Sequence, residues 1–314
     1  MIKTYTLYLK ENTSRRNFLL VSLITLLYLA GSAFLIGFKT DQLFLAALFN
    51  VLYYASLPTR KFVLAFSIFI VFWIIFDSMK AFPNYKFNTI HVKQLYDTEK
   101  QLFGIRENGA VLTPNEYAQA HATTFFDVLA GFFYINWMPV PLLFAFYLFR
   151  KNKFQFLSFS LAFLFVNLLG FVVYYAYPAA PPWYVAQYGF DVQFNTPGNT
   201  AGLSRFDDYF GIQLFHNLYA KSSNVFAAMP SLHSAYPVIV LYFGLKNRLG
   251  LINIFFALFV LGIWFSAVYS GHHYTLDVIA GITCALTGLF LFERLVLSQR
   301  RFKTFLQHYQ QVIS

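Results

Sequence analysis

The sequence predicts an all-α fold, a polytopic membrane helix bundle with about eight transmembrane helices. Of the 314 residues, 58% are hydrophobic and 11% are charged, and the mean hydropathy is +0.53. Soluble globular domains have about 45–50% apolar and about 25% charged residues. The composition therefore excludes a soluble domain and favours a chain embedded in lipid.

Eight apolar runs are candidate membrane spans. A helix needs about 17–25 apolar residues to cross about 30 Å of hydrocarbon. The second and the sixth run are short, so a seven-span topology follows if either of them is re-entrant. The runs cover residues 17–38, 41–57, 62–79, 124–149, 154–177, 231–246, 251–269 and 275–297.

The basic residues predict the orientation of these spans, because cytoplasmic loops collect Lys and Arg. With the N-terminus inside, 15 of the 23 basic residues lie in inside segments, so we expect both termini in the cytoplasm. The net charge of +10 then reflects topology and attraction to anionic inner-leaflet lipid. No soluble basic domain remains that could bind nucleic acid. The inside residues are Lys3, Lys10, Arg15, Arg16, Arg60, Lys61, Arg150, Lys151, Lys153, Lys246, Arg248, Arg294, Arg300, Arg301 and Lys303.

Two outside loops, 80–123 and 178–230, hold most of the polar residues, and no repeat or linker divides the chain. We therefore treat residues 1–314 as one integral membrane domain. In the first loop, "TPNEYAQAH" predicts a short helix that begins with a capping box between Thr113 and Glu116. In the second loop, "YPAAPPWY" contains a tryptophan and a tyrosine at 183 and 184 that we expect to anchor at the membrane interface.

Two histidines and an aspartate lie at the outside ends of the last spans. "MPSLHSAYP" places Ser231 and His233 in the first turn of the sixth span, where backbone N–H groups are unpaired. "SAVYSGHHYTLDVIAG" places His272, His273 and Asp277 at the start of the eighth span. Because two crossings separate the two motifs, they reach the same membrane depth. His273 and Asp277 are four residues apart, so the carboxylate can accept the imidazole N–H.

This arrangement suits phosphoryl transfer. Asp277 would fix the tautomer of His273, whose other nitrogen then becomes a nucleophile. His233 would protonate the leaving oxygen and afterwards deprotonate the acceptor. The N-termini of two helices converge here, and their N–H groups and dipoles would bind the phosphate. A single histidine near the interface can also be an ordinary hydrogen-bonding residue, but two histidines and an acid at one depth favour a catalytic site.

These motifs resemble those of the type 2 phosphatidic acid phosphatase superfamily. The family patterns P-S-G-H and S-R-x5-H-x3-D correspond here to "PSLH" and to S-A-x5-H-x3-D. The resemblance implies a catalytic six-helix core at 62–297, two extra spans in 1–61 and a cytoplasmic tail at 298–314.

The resemblance also implies a role for each motif residue. His273 would be the nucleophile that forms a phosphohistidine, Asp277 would orient it, and His233 would be the acid and base. Leu232 and Ala267 replace the family's Gly and Arg, and the family's K-x6-R-P motif is absent, so three cations are missing. A phosphodiester carries one charge and needs less neutralisation than a monoester, so these departures favour a diester substrate.

The combination of "YPAAPPWY", "GLSRFD", "VFAAMPSLHSAYP" and "GHHYTLDVIAG" is similar to the inositol phosphorylceramide synthase branch over about 125–297. This implies a transferase that moves a phosphorylated polyol, such as inositol phosphate, from a glycerophospholipid to a ceramide hydroxyl and releases diacylglycerol. The alternative is a phosphatase of the same fold that uses water as acceptor for phosphatidic acid or a polyprenyl pyrophosphate.

The expected partners are therefore the two lipid substrates and the membrane, and the site lies on the non-cytoplasmic face: the periplasmic side of an inner membrane, or the Golgi lumen. We expect no metal or other cofactor, because the polar clusters lack the carboxylate pairs that hold Mg²⁺. The headgroup, the acceptor and any protein partner stay open. The candidate substrate-binding residues are Ser231, Ser270, Gly271, Tyr274, Arg205 and Lys221.

Overall fold

The structure is a computed structural model that describes residues 14–220 and 224–314. These ranges contain 15 α-helices and one antiparallel β-hairpin of β1 (Ile105–Glu107) and β2 (Ala110–Leu112). Lys3, Lys10 and Lys221 lie outside them. The helices are α1 (Arg15–Ile36), α2 (Thr40–Ala55), α3 (Leu57–Ser78), α4 (Lys93–Phe103), α5 (Pro114–Ala120), α6 (Thr124–Ile135), α7 (Pro139–Lys151), α8 (Lys153–Ala176), α9 (Pro182–Tyr188), α10 (Ser204–Phe210), α11 (Leu214–Tyr219), α12 (Leu232–Lys246), α13 (Ile252–Tyr269), α14 (Thr275–Leu291) and α15 (Arg300–Ile313).

Within the described ranges, five helices are long and apolar enough to cross a membrane, and six if the bent pair α6 and α7 forms one span. The prediction of an all-α polytopic membrane protein is confirmed. Helix length does not support all eight predicted spans, because α2 and α12 have only 16 and 15 residues. At about 1.5 Å per residue, such helices are shorter than about 30 Å of hydrocarbon. These two helices correspond to the second and the sixth apolar run, which are also the short runs in the sequence.

The centre of the bundle is formed by α12, which packs against α8, α13 and α14. Aromatic rings interlock between α8 and α12: Phe163 meets Tyr236 at 4.6 Å and Phe159 meets Phe243 at 5.4 Å between centroids. The hydroxyl of Tyr236 donates to the side-chain oxygen of the buried Asn167 at 2.6 Å. Since lipid offers no hydrogen bonds, this pairing satisfies both polar groups and fixes the rotation of α12.

The C-terminal residues form the amphipathic helix α15, which packs against α3 and α8 at the end of the bundle opposite His233. Leu306 and Ile313 are buried there, and the Tyr309 hydroxyl donates to the Leu64 carbonyl oxygen at 2.7 Å. Segment 298–314, predicted only as a cytoplasmic tail, is therefore largely a helix that is docked on the bundle.

The loops 80–123 and 178–230 are joined to each other by backbone contacts. Single parallel bridges connect His91 with Ala179 and Ala179 with Ala227. The predicted capping box is confirmed, since Thr113 Oγ1 accepts from the Glu116 N–H at 3.1 Å. The prediction that Trp183 and Tyr184 anchor at the membrane interface is wrong, because both side chains are buried against Ala180 and Phe226.

Candidate active site

The first turns of α12 and α14 are in direct contact at one end of the bundle. The Ser231 N–H donates to the Asp277 carbonyl oxygen at 2.9 Å. Gly281, one turn further along α14, makes this approach possible, because a β-carbon there would lie 2.1 Å from the Ser231 carbonyl oxygen. Any larger residue at 281 would push the two helices apart.

This contact brings the two predicted catalytic histidines together. His233 Nδ1 lies 3.3 Å from His273 Nε2. The His273 backbone N–H donates to the Ala267 carbonyl oxygen at 3.0 Å, which ties the ring to the end of α13. His273 is buried and His233 is partly buried. The site is thus shielded from bulk water on most sides.

Asp277 lies beside His273 but the two side chains do not form a short hydrogen bond. Asp277 Oδ2 is 3.6 Å from His273 Nδ1 and accepts instead from the Tyr274 N–H at 2.8 Å. Among the described residues, neither His273 Nδ1 nor Asp277 Oδ1 has a hydrogen-bond partner, and both atoms are buried. Catalytic hydrogen bonds are often long without substrate and shorten when it binds. The pair is therefore placed to orient the ring.

Two aromatic residues that the sequence analysis missed surround His233. The hydroxyl of Tyr134, a fully buried residue of α6, lies 3.2 Å from His233 Nδ1. The Trp137 ring meets the His233 ring edge-on, with 4.7 Å between centroids. Both lie in the apolar stretch "GFFYINW", where no local pattern marks them. Tyr134 thus places a hydroxyl beside His233, as Asp277 places a carboxylate beside His273.

His272, beside the nucleophile candidate, joins a different group of residues. Its Nε2 lies 2.9 Å from the Thr200 carbonyl oxygen, and its ring stacks on Tyr219 with 4.4 Å between centroids. Burial, and then the neighbouring charge of His273, lowers the pKa of His272 to about 3. A neutral ring that donates from Nε2 to Thr200 fits these surroundings, so His272 ties the 196–203 loop to the catalytic motif.

The predicted substrate-binding residues of the two motifs differ in whether their polar atoms already have hydrogen-bond partners. The hydroxyl of Ser231 caps α12 by accepting from the Ser234 N–H at 3.3 Å, which is a structural role and does not support its predicted substrate contact. Ser270 Oγ and the Tyr274 hydroxyl are buried without a hydrogen-bond partner in the described chain. Gly271 has a φ of +75° and accepts from the Trp183 N–H at 3.0 Å. Its conformation explains why glycine is needed there.

Arg205 is held beside the motif by two side chains. Its Nε donates to Asp127 at 2.6 Å and its Nη1 donates to Gln119 at 2.7 Å. Its Nη2 is buried and has no partner among the described residues. A β-carbon on Gly202 would lie 2.9 Å from this Nη2 and 3.0 Å from the Ser270 carbonyl oxygen, so both groups flank Gly202. Lys221, the other predicted anion contact, is outside the described residues.

The prediction that two helix N-termini bind the phosphate is wrong for α14. The N–H groups of Thr275 and Leu276 are taken by the carboxylate of Glu99, at 2.8 and 3.0 Å. A buried carboxylate already neutralises this positive helix end. Arg205 Nη2 and Ser270 Oγ, in contrast, are buried donors without a partner in the described ranges.

Known proteins are similar to this chain over most of its length. Residues 108–291 match the family model of the PAP2 superfamily. The chain is 47% identical over 303 residues to the phosphoinositol dihydroceramide synthase of Bacteroides thetaiotaomicron, which covers 96% of this chain and 99% of that protein. It is 30% identical to the inositol phosphorylceramide synthase catalytic subunit of Saccharomyces cerevisiae, over 74% of this chain and 59% of that protein.

A third relative, the inositol phosphorylceramide synthase of Candida albicans, is 35% identical over 41% of this chain and 28% of its own length. No solved structure matches the chain significantly. The family resemblance of the "PSLH" and "GHHYTLD" motifs is thereby confirmed. The chain belongs to the PAP2 superfamily and is a membrane enzyme of the inositol phosphorylceramide synthase type.

Proposed function

We propose that the chain transfers a phosphorylated polyol headgroup, inositol phosphate, from a glycerophospholipid to the hydroxyl of a ceramide-type lipid, through a phosphohistidine on His273. The observation that carries this proposal is the contact between His233 Nδ1 and His273 Nε2 at 3.3 Å. It places a candidate acid beside a candidate nucleophile in a largely buried site. The names of the relatives support the choice of donor and acceptor.

In the first half-reaction, His273 Nε2 attacks the phosphorus of the donor. The P–N bond forms, the P–O bond to diacylglycerol breaks, and protonated His233 gives its proton to the departing oxygen. Reacting atoms must approach to about 3–3.5 Å, so the phosphate has to separate the two rings when it binds. Asp277 stabilises the positive charge that the attack creates on His273.

In the second half-reaction, the ceramide hydroxyl takes the place of the diacylglycerol oxygen. Neutral His233 accepts the hydroxyl proton, the new P–O bond forms and the P–N bond breaks. His233 is then protonated and His273 is neutral, so the enzyme returns to its starting state. The same residue acts as acid and base, which requires that leaving group and acceptor occupy one position in turn.

Arg205 and Ser270 are the residues we assign to the charged headgroup. Arg205 Nη2 and Ser270 Oγ are buried donors without partners in the described ranges, and Arg205 Nη2 and the Ser270 backbone both flank Gly202. Ala267 is fully buried where the family pattern has an arginine, so that cation is absent. One guanidinium donor and one hydroxyl suit a phosphodiester monoanion better than a monoester dianion.

We place this site on the non-cytoplasmic face, with both termini in the cytoplasm. Lys246 ends α12 and Arg150 lies near the end of α7, both far along their helices from the catalytic end. Cysteines at the exposed positions Asn195 and Ser298, in a Cys284→Ala background, test the orientation. An impermeant maleimide should label Asn195→Cys in intact cells and Ser298→Cys only after permeabilisation. The reverse pattern would place the site inside.

The covalent step is tested with phosphatidylinositol that carries tritium in its inositol ring. Without acceptor, purified enzyme should take up one label per active site, on His273, and release an equal amount of diacylglycerol. Addition of ceramide should remove the label from the protein and transfer it to lipid. Turnover with no label on the wild-type protein under rapid quenching would argue for direct transfer between the lipids.

A further inference from the structure

The outer segment 84–120 packs over the first turn of α14. We propose that Glu99 of this segment is a positioning residue for the transfer reaction, because its carboxylate fixes the first turn of α14 and with it the geometry of Asp277 and His273. The experiment that tests this role rests on the proposed function, because it measures the release of diacylglycerol from phosphatidylinositol. The role itself belongs to a segment that precedes all the catalytic motifs in the chain.

Glu99 lies on α4 and has 0% of its surface exposed. Its Oε1 accepts from the Thr275 N–H at 2.8 Å, and its Oε2 accepts from the Leu276 N–H at 3.0 Å. A carboxylate is costly to bury unless its oxygens are hydrogen-bonded, and these two bonds provide that compensation. The negative charge also lies at the positive end of the α14 dipole, where it stabilises the helix.

The two residues that Glu99 holds directly precede Asp277. Asp277 is in turn connected to α12, since its carbonyl oxygen accepts from the Ser231 N–H at 2.9 Å. A continuous path therefore runs from Glu99 through the first turn of α14 to the start of the helix that carries His233. A shift of this turn would alter the 3.6 Å separation between Asp277 Oδ2 and His273 Nδ1.

Helix α5 of the same segment holds the backbone just before this turn. Asn115 Nδ2 donates to the carbonyl oxygens of Val268 and His273, both at 2.8 Å. Gln119 Nε2 donates to the Tyr269 carbonyl oxygen at 2.6 Å. All these bonds end on the backbone of the catalytic motif, so the segment can set the geometry of the site without touching a headgroup.

A purely structural cap and a positioning residue differ in what their loss does to each molecule. Loss of a structural cap lowers the fraction of folded enzyme, while every folded molecule keeps its chemistry. Loss of a positioning residue lowers the rate constant of the chemical step in all molecules. Single-turnover kinetics separate the two, because the amplitude reports the active fraction and the rate constant reports the chemistry.

Glu99→Gln is the informative variant, because the amide keeps the shape but directs an NH₂ group at one of the two N–H donors. We expect the single-turnover rate constant for diacylglycerol release from phosphatidylinositol to fall about 10- to 100-fold, the effect of losing a charged hydrogen bond. The amplitude and the half-saturating lipid concentration should stay unchanged. The pH dependence of the rate constant should shift, since the Asp277–His273 pair is displaced.

Glu116→Gln is the matched control, because Glu116 lies in the same segment and caps α5. Glutamine serves in a capping box as glutamate does, so the rate constant should equal that of wild type. An unchanged rate constant in Glu99→Gln, or a loss confined to the amplitude, would overturn the positioning role. If wild type does not consume phosphatidylinositol, the proposed function fails instead, and phosphatidic acid then serves as donor for the same comparison.

Discussion

His233 Nδ1 and His273 Nε2 are 3.3 Å apart, although the two residues are separated by 40 positions in the chain. The intervening helices α12 and α13 lead the chain away from the end of the bundle at which His233 lies and back again. Gly281 then allows α14 to approach the start of α12 closely enough for the rings to meet. The two nitrogens to which we assign the transfer chemistry are thus adjacent before any lipid binds.

Removal of each catalytic side chain should have a distinct effect on turnover. His273→Ala should abolish turnover and covalent labelling, because it removes the nitrogen that we assign as the nucleophile. His233→Ala should lower turnover by about 10²- to 10⁴-fold, the usual worth of a general acid and base. Asp277→Asn should lower turnover severely, because the carboxylate that fixes the tautomer of His273 is lost. Near-normal turnover of His273→Ala in a purified assay would contradict the nucleophile assignment.

Tyr134→Phe should lower turnover about fivefold to tenfold, because it removes one hydrogen bond to His233 and leaves the packing of the ring intact. The pH profile of turnover should also shift, since the hydroxyl lies against the titrating Nδ1. Tyr147→Phe, a change at an exposed ring on α7, is the control and should behave as wild type. Equal rates and equal pH profiles for all three proteins would exclude a role for the Tyr134 hydroxyl.

Arg205→Lys should weaken donor binding more than it slows the chemistry. Lysine keeps the charge, but its three N–H donors share one nitrogen and cannot reproduce the planar fork by which Arg205 contacts Asp127 and Gln119 and still presents Nη2. We expect the KM for phosphatidylinositol to rise about tenfold or more, the loss of a charged hydrogen bond, with a smaller change in kcat. Arg301→Lys on α15 is the control. A KM that does not change would remove Arg205 from the headgroup site.

Acid should destabilise the protein partly through His272. Because burial lowers the pKa of His272 to about 3, the unfolded chain, with an ordinary pKa of 6.5, binds this proton first as the pH falls. The free energy of unfolding therefore decreases below pH 6.5, by up to about 1.4 kcal/mol per pH unit from this residue.

His272→Phe removes this titration and retains a ring that can stack on Tyr219. The melting temperature in detergent should then fall less between pH 7 and pH 5 than in wild type, whereas the exposed His308→Gln should not change the slope. Identical slopes for wild type and His272→Phe would show that His272 does not stay neutral in the folded state.

The juxtaposition of His233, His273 and Asp277 could be predicted from sequence because local rules place these residues. His273 and Asp277 are one helical turn apart, and two membrane crossings return the chain to the level of His233. Tyr134 could not be predicted, since it lies 99 positions from His233 in an apolar run and only packing reveals the contact. Glu99, in "YDTEKQ", has the sequence context of a solvent-exposed charge, and its burial depends on how α4 packs on α14.

The span count shows a similar limit. Hydropathy locates the apolar runs, but it does not tell a central helix from one that crosses the full bilayer. α12 is short and is surrounded by α8, α13 and α14, so protein and not lipid covers most of it. The prediction that the N-terminus of α14 binds the phosphate failed for a related reason. A helix N-terminus is free to bind an anion only if no distant side chain caps it, and Glu99 caps this one.

The most direct test of the central claim is a lipid transfer assay with purified protein, phosphatidylinositol and ceramide. Continued release of diacylglycerol should require ceramide, should match the inositol phosphorylceramide formed mole for mole, and should follow ping-pong kinetics in the two lipids. Water should not replace the acceptor, because the catalytic histidines lie in a largely buried site. Rapid release of phosphate from phosphatidic acid, with no ceramide-dependent product from phosphatidylinositol, would contradict the account and identify a phosphatase.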